Sequence, residues 1–258
     1  MPAGLHKSQN YTIWMVAKRE LKFIKSLHQK KYRSRHGLFL AEGVKLVGEL
    51  LRSGWKPREL FSTEAIEGIS AASPISEQEL KKVSALVQPN KVLGIFEIPS
   101  QAPPDFKGWL LALDGVRDPG NLGTIIRLCD WFGIRDLVCS PDTVDCFNPK
   151  VLMATMGSIA RVRVHYLPLE QTLAKSGLPV YGASMEGKPL GSFPMPEEGI
   201  LVMGSESHGI SAGVGAQLEN TLGISPFGKG RAESLNVATA SAILLYEIRR
   251  NRSESIQR

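Results

Sequence analysis

The stretch "WLLALDGVRDPGNLGTIIRLCDWFG", residues 109–133, passes from an apolar run to a helical pattern through a Pro/Gly corner. The apolar run at 109–113 is typical of a strand that is buried on both faces of a parallel sheet. The helix that follows carries Asn121 and Arg127, and a plain turn requires neither. Ligands of open α/β sheets bind at the carboxyl ends of the strands, so we expect a site for a polyanion or a hydroxyl here.

Two further glycine-rich corners follow candidate strands, "VMGSESHGIS" (202–211) and "ISPFGKGRAESLNV" (224–237). The second overlaps a G-x4-G-K pattern that runs from Gly223 to Lys229. Gly230 stands where a phosphate loop has Ser or Thr to hold Mg²⁺, which argues against a nucleoside triphosphatase. None of the three corners contains the GxGxxG of a dinucleotide fold. Taken singly, each corner is equally well explained as a sharp turn.

Strand and helix patterns alternate on both sides of the proline-rich segment "EIPSQAPPDFKG" (97–108). Before it, "GLFLAEG", "RELFST" and "VLGIFEI" predict strands, while "VKLVGELLRSG" and "SEQELKKVSAL" predict helices, the second capped by Ser76. After it, the predicted strands are "WLLAL", "DLVCS", "RVRVHYL", "PVYGAS", "GILVMGS" and "TLGIS". We therefore predict a small α/β domain (1–98), a linker (99–107) and a larger α/β domain with a mostly parallel sheet (108–258).

The composition limits the possible classes of protein. The net charge is +6, and eight Lys and Arg residues stand against one Glu in residues 18–37, which also contain aromatic residues. This segment is either a solvated helix face or a nucleic-acid surface. No apolar stretch reaches the length of a membrane span, and the first residues lack a secretory signal, so we expect a cytoplasmic protein without a membrane partner. Three cysteines without metal-ligand spacing predict buried free thiols and no metal site.

The three corners, taken in order, resemble a known family. N-x-G-x3-R, then G-S-E-x2-G, then E-S-L-N-V-A-T-A before a terminal helix resembles the SpoU (TrmH) family of RNA ribose 2'-O-methyltransferases, in the SPOUT class. The resemblance covers residues 108–258. "RSRHGLFLAEGVKLVGELL" in the first domain is similar to the L30e-like RNA-binding domain that accompanies this family.

The resemblance implies a fold and a cofactor. The larger domain would contain a deep trefoil knot near its C-terminus, a rare exception to unthreaded topology. S-adenosylmethionine would be held mainly by backbone groups, in a pocket whose glycine allows close approach and whose apolar side chains suit adenine. The residues that the resemblance assigns to this pocket are Ala183, Met203, Gly204, Ile224, Leu235 and Asn236.

The resemblance also implies catalytic roles. Arg127 would hold the phosphate and stabilise the developing 2'-alkoxide, because a guanidinium does not readily act as a base. Asn121 would brace Arg127, while Ser234 and Asn236 would orient the hydroxyl. Glu206 matches the acid of the family motif, and its alternative role is that of a charge or cap at a helix N-terminus. The residues expected to bind RNA are Lys30, Lys31, Arg33, Arg35, Lys229 and Arg231.

Two departures from the family pattern and several alternatives remain. Many relatives have E-G-x-G in the second corner, where this chain has Glu206-Ser207-His208-Gly209. His208 is either a turn residue or an RNA contact. The third corner is one residue longer than the common form. The expected substrate is ribosomal RNA first and transfer RNA second, and the expected assembly is a homodimer. The alternatives are methylation of a base, or an RNA-binding homologue without catalytic activity.

Overall fold

The computed structural model of the protein describes residues 16–189, 191–192, 195–226, 228 and 234–256, with side chains as far as residue 250. Within these residues the strands form two sheets, one before and one after the segment that joins Glu97 to Trp109. That segment contains no helix or strand in its described residues. We call the two parts the first unit and the second unit.

The first unit is built on a mainly antiparallel sheet. Its strands are β1 (Leu38–Glu42), β2 (Pro57–Ser62), β3 (Ser73–Pro74) and β4 (Val92–Glu97). Its helices are α1 (Lys18–Ser26), α2 (Lys30–His36), α3 (Val44–Arg52) and α4 (Glu77–Val83). The strand order is β1-β4-β2-β3, in which β4 pairs antiparallel with both of its neighbours and β3 pairs parallel with β2.

The second unit is built on a parallel sheet. Its strands are β5 (Trp109–Asp114), β6 (Asp136–Cys139), β7 (Arg163–Tyr166), β8 (Val180–Pro189), β9 (Gly199–Gly204) and β10 (Asn220–Gly223). Its helices are α5 (Pro119–Trp131), α6 (Pro149–Thr155), α7 (Leu169–Lys175), α8 (Ala212–Gly215) and α9 (Val237–Ile256), with a 3-10 turn at Ser158–Ala160. The order is β10-β8-β9-β5-β6-β7, and every pairing among the described strands is parallel. The predicted α/β class and mostly parallel sheet are confirmed.

Capping residues determine where helices α4 and α5 begin. Ser76 and Glu79 form a capping box at the start of α4, as the Ser76 prediction requires. Asp118 caps α5 by accepting a hydrogen bond from the Asn121 backbone N–H at 2.8 Å, and Pro119 occupies the first helical position. Gly133, with a φ of 69°, follows the end of α5 and turns the chain toward β6.

The two units share a hydrophobic core. Phe39 of β1 packs against Phe147 of the second unit with ring centroids 4.6 Å apart, and both belong to one cluster of buried side chains. Two ion-pair groups lie at the same boundary. The buried Arg33 of α2 pairs with Asp145, and Arg161 bonds both Glu49 of α3 and Asp130 of α5. The units are therefore held together by apolar packing and by charge.

Backbone segments approach very closely near the end of the parallel sheet. A Cβ atom on Gly223 would lie 2.5 Å from the carbonyl oxygen of Gly187, so only glycine permits this contact. β8 extends to Pro189, well beyond the predicted "PVYGAS", and pairs again with the end of β10. The trefoil knot itself stays a prediction. Among the described helices, none combines the length and the apolar character needed to cross a membrane.

Candidate functional site

The carboxyl ends of the central strands meet at one edge of the parallel sheet. Asp114 at the end of β5 is in register with Gly204 at the end of β9, and Gly182 of β8 is in register with Val202. The Asp114 carboxylate accepts a hydrogen bond from the Ser211 backbone N–H at 2.7 Å, which ties the second corner to the first strand. The first two corners therefore follow the adjacent strands β5 and β9, and the third follows β10, which β8 separates from β9. All three lie at the carboxyl ends of parallel strands, where the fold is expected to hold a ligand.

Three polar side chains from the three corners form one hydrogen-bonded cluster, which we call the corner cluster: Asn121, Glu206 and Asn236. Asn121 Nδ2 donates to Glu206 Oε1 at 3.1 Å, and Asn236 Nδ2 donates to the same oxygen at 2.8 Å. Asn236 Nδ2 also donates to Asn121 Oδ1 at 2.8 Å. Glu206 and Asn236, which lie 85 and 115 positions after Asn121, are thus in direct contact with it. The hydrogen bonds of the corner cluster hold the three corners together at one place on the sheet edge.

The corner cluster also fixes the start of the terminal helix. Asn236 Oδ1 accepts from the backbone N–H groups of Ala238 and Thr239 at 3.1 and 3.2 Å, as a helix cap does. Glu206 Oε1 accepts from the Val237 N–H at 3.3 Å. A carboxylate is stabilised at a helix N-terminus by the unpaired N–H groups and the helix dipole. Glu206 therefore lies at a helix N-terminus, which is the alternative role that the sequence left open for it. Its carboxylate also positions Asn121 and Asn236.

Arg127 lies apart from the corner cluster. It is exposed on α5, six residues beyond Asn121, which places it about 9 Å further along the helix axis. The described hydrogen bonds of the Asn121 side chain go to Glu206 and Asn236, so the expected brace of Arg127 by Asn121 is not among them. No ion pair of Arg127 occurs among the described residues, so its guanidinium is available to a ligand.

Arg127 lines an open depression of about 410 Å³ between the two units. We call it the inter-unit depression, and its lining residues are Lys45, Glu49, Arg127, Asp130, Trp131, Met156, Ser158 and Arg161. Trp131, one helical turn beyond Arg127, leaves 84% of its surface exposed. Sequence reasoning did not assign a function to Trp131, although its i+4 spacing from Arg127 on a helix puts both on one face.

The residues expected to hold the cofactor lie around the ends of β8, β9 and β10. Met203 is 2% exposed, so its side chain belongs to the core and only its backbone can face a ligand. Ala183 and Ile224 are half-buried against the core, whereas Leu235 is 45% exposed. A Cβ atom on Gly204 would lie 2.2 Å from the Gly209 backbone, so glycine is required for the corner to fold back. An apolar lining beside a corner whose backbone can be approached closely fits an adenine-containing cofactor.

The residues expected to bind RNA fall into three groups. Lys30, Lys31 and Arg35 are exposed on α2, and their binding to RNA stays a prediction. Lys229 and Arg231 lie outside the described residues. Arg33 is 2% exposed, and the prediction that it binds RNA is wrong.

The acceptors around the Arg33 side chain explain why it does not face RNA. Its guanidinium donates to Asp145 Oδ2 from Nε at 3.0 Å and from Nη2 at 2.5 Å. Its Nη1 donates to the carbonyl oxygens of Leu27 and His28 at 3.0 and 2.7 Å. These bonds use four of the five N–H donors of the guanidinium, and its burial keeps the whole group away from a phosphate in solution.

Ser234 is exposed two residues before Asn236. His208 is also exposed, and its Nδ1 lies 2.7 Å from the Ser207 hydroxyl.

Among the described residues, no group of three His, Cys, Asp or Glu side chains has the arrangement of a metal site. Burial raises the pKa of the Cys146 thiol to about 12, and the other two cysteines are buried as well. The cysteines are therefore core residues rather than nucleophiles.

Comparisons with known proteins agree with this arrangement. Residues 108–246 match the SpoU rRNA Methylase family, and residues 18–94 match the MRM3-like substrate binding domain. The chain is 33% identical over 235 residues to the 23S rRNA (guanosine(2553)-2'-O)-methyltransferase RlmP of Bacillus subtilis, covering 87% of this chain and 94% of that protein.

Two solved structures share the whole architecture. A protein of the TrmH family from Porphyromonas gingivalis is 40% identical, with a TM-score of 0.83 over 92% of this chain and 99% of its own. An AdoMet-bound rRNA methyltransferase from Sinorhizobium meliloti is 30% identical, with a TM-score of 0.80 over 92% of this chain and 97% of its own. Both matches extend across the two units.

Proposed function

The chain belongs to the SpoU rRNA methylase family, and we propose that it methylates a ribose 2'-hydroxyl of ribosomal RNA with S-adenosylmethionine as the methyl donor. The corner cluster carries this proposal, because it joins at one sheet edge the three corners that the family uses. One relative that the chain matches along most of its length is named a 23S rRNA 2'-O-methyltransferase, and another, named an rRNA methyltransferase, was solved with AdoMet bound. When bound, S-adenosylmethionine supplies a methyl group on a sulfonium, which is already activated for transfer.

The cofactor would be held at the ends of three neighbouring strands. The backbones of Met203 and Gly204 would bind its polar groups, because the Met203 side chain is buried and Gly204 has none. Ala183, Ile224 and Leu235 would supply the apolar surface for adenine. Asn236 would hold the third corner against this surface through its bonds to Glu206 and to the start of α9.

The protein contributes alignment and charge to the reaction. The 2'-oxygen forms a bond to the methyl carbon as the carbon–sulfur bond breaks, and the hydroxyl proton passes to phosphate or water. Arg127 would hold the phosphate and would stabilise the negative charge that develops on the 2'-oxygen. Its guanidinium does not act as the base, since arginine keeps its proton in proteins. Ser234 would orient the hydroxyl from the exposed side of the third corner.

The substrate is ribosomal RNA, and guanosine is the nucleoside that we favour. The support is the relative named for guanosine in 23S rRNA, which the chain matches along most of its length. Transfer RNA is the second candidate substrate. A base methyltransferase and an inactive RNA-binding homologue are the remaining alternatives, and the presence of Asn121, Arg127, Glu206, Ser234 and Asn236 argues against the inactive form.

Three further proposals complete the function. We divide the chain into an L30e-like RNA-binding domain (1–98), a linker (99–107) and a SPOUT methyltransferase domain (108–258). We place the enzyme in the cytoplasm with the ribosomes that its substrate class implies. We also propose a homodimer, supported by the exposed apolar side chains of Ile243 and Tyr246, which lie three residues apart on α9, whereas the small residues Ala238 and Ser241 are buried within the chain. Sedimentation at micromolar concentration would give the dimer, and a species of 28 kDa alone would contradict it.

The activity is tested on RNA from cells that lack this gene. Purified protein is incubated with that ribosomal RNA and isotope-labelled S-adenosylmethionine, and the digested nucleosides are identified by mass spectrometry. The proposal predicts label in a 2'-O-methyl nucleoside, together with cofactor binding measured by calorimetry. Label in a base-methylated nucleoside would assign the base reaction. Cofactor binding without any label in ribosomal or transfer RNA would contradict the proposal.

A further inference from the structure

The inter-unit depression is formed by residues of both units. Lys45 and Glu49 come from α3 of the first unit, while Arg127, Asp130 and Trp131 come from α5 of the second. Its volume of about 410 Å³ lies within the range of small-ligand sites. The depression begins at Arg127, the residue that the proposed reaction places beside the substrate phosphate.

The carboxylates of the depression are already paired. Arg161 donates to Glu49 at 2.8 Å and to Asp130 at 2.7 Å, so one guanidinium joins the two units across the floor. Hydrogen bonds from Arg52 and from Arg161 lower the pKa of Glu49, and the bond from Arg161 lowers that of Asp130. Both carboxylates are therefore ionised and matched by arginine at neutral pH.

The remaining cations have no such match. Lys45 and Arg127 are both exposed, and neither has a carboxylate partner among the described residues. Because the carboxylates of the depression are paired with arginine, the positive charges of Lys45 and Arg127 remain, and they suit an anionic strand.

An exposed aromatic surface completes the depression. Trp131 is 84% exposed at the end of α5, and Met156 opposite is 42% exposed. A single-stranded nucleic acid binds where cations follow the backbone and an aromatic side chain stacks on a base. Five of the eight lining residues are ionisable, and the cores of protein–protein interfaces are depleted in charge. The composition therefore favours RNA over a second copy of the chain.

We infer that the inter-unit depression is the binding site for the RNA strand next to the methylated nucleotide, with one base stacked on Trp131 and phosphates at Lys45 and Arg127. This inference rests on the proposed function and specifies how its substrate is bound. Trp131 lies about 6 Å beyond Arg127 along α5, so the stacked base belongs to a flanking nucleotide and not to the one whose ribose reacts. Trp131 is thus a positioning residue that sets how the RNA crosses from the first unit to the second.

The test compares Trp131→Ala with Trp131→Phe, which keeps an aromatic ring, and with Val87→Ala, which changes a 97% exposed side chain away from the depression. The probe is a fluorescein-labelled single-stranded oligoadenylate of 20 nucleotides, and its affinity is measured by anisotropy. Removal of the indole should weaken binding by about fivefold to a hundredfold, the range for one base stacked on an aromatic side chain. Trp131→Phe should retain most of the affinity, and Val87→Ala all of it.

Two additional readouts are specific to the depression. Lys45→Ala should lower the slope of log affinity against log salt by about 0.7, the value for one phosphate contact of a single strand. In the methylation assay, Trp131→Ala should raise the KM for ribosomal RNA and leave kcat and cofactor affinity nearly unchanged, as expected for loss of binding outside the reacting groups.

The outcomes separate this inference from the proposed function. If the unaltered protein methylates RNA and Trp131→Ala matches it in affinity and KM, the inference is wrong and the proposed function stands. If Trp131→Ala sediments as a smaller species than the unaltered protein, the depression is covered by a second copy, which also overturns the inference. If oligoadenylate binding depends on Trp131 but no RNA is methylated, the RNA site stands and the proposed activity fails.

Discussion

Two helical arginines in this molecule have opposite surroundings. Arg33 on α2 is 2% exposed and is enclosed by Asp145 and two carbonyl oxygens. Arg127 on α5 is exposed at the inter-unit depression, with no carboxylate partner among the described residues. The sequence analysis assigned Arg33 to RNA binding and, through the family resemblance, Arg127 to the reacting ribose and its phosphate. The comparison shows that burial and partners, and not residue type, separate an arginine that joins two parts of a protein from one that can bind a ligand.

The largest expected effect is on stability at the Arg33 side of the comparison. Arg33→Ala leaves Asp145, whose side chain is 15% exposed, without its partner at the boundary between the units. Breaking a buried ion pair from one side costs about 3 kcal/mol, and we expect a loss of that size in the free energy of unfolding. Urea denaturation followed by circular dichroism measures it.

Arg35→Ala is the matched control for this prediction. Arg35 lies two residues along the same helix and is exposed, so its removal should change the free energy of unfolding by less than about 0.5 kcal/mol. Equal effects of the two substitutions would mean that the Arg33–Asp145 pair does not hold the units together.

The next largest effect is on turnover at the Arg127 side. Arg127→Ala should lower kcat on ribosomal RNA about a hundredfold or more, by analogy with the loss of one oxyanion donor. Its stability and its affinity for S-adenosylmethionine should stay close to those of the unaltered protein, since Arg127 is exposed and lies about 9 Å along α5 from Asn121. Single-turnover kinetics and calorimetry provide the two measurements.

Arg127→Lys tests whether charge alone suffices. Lysine keeps the charge but lacks the planar fork that binds phosphate through two hydrogen bonds, so we expect only partial recovery. Full activity of Arg127→Ala would remove Arg127 from the reaction.

The sequence predicted the elements of the fold because their signals are local. Ser76 caps α4 through Glu79, three residues away, and the apolar runs at 109–113 and 199–203 form the adjacent parallel strands β5 and β9. The helical spacing of Val237, Ala240, Ser241, Leu244 and Ile248 predicts the inner face of α9, and all of them are buried except Ala240, which is half-buried. Neighbouring residues determine each of these features.

The site was only partly predictable, because its contacts join distant residues. The corners were found, but the corner cluster depends on contacts between residues 85 and 115 positions apart, which no local pattern contains. The same limit explains the error at Arg33, whose partner Asp145 is 112 positions away. A run of basic residues predicts a charged surface but does not show which member turns inward.

The smallest expected effect is at the exposed neighbours of Arg33. Lys31→Ala should weaken RNA binding by less than about tenfold and lower the slope of log affinity against log salt by about 1, as for one phosphate contact. Its stability should be unchanged, since the Lys31 side chain is exposed. Binding titrations of ribosomal RNA at several salt concentrations measure the slope. An unchanged slope would make this part of α2 a solvated helix face.

The most direct test of the central claim is to locate the cofactor on the chain. Ultraviolet cross-linking of radiolabelled S-adenosylmethionine to the protein, followed by mass spectrometry of the peptides, reports which residues surround it. The account predicts label in peptides from residues 199–211 and 220–236, which contain the second and third corners. Label confined to peptides from residues 38–97 would place the methyl donor on the first unit and contradict the account.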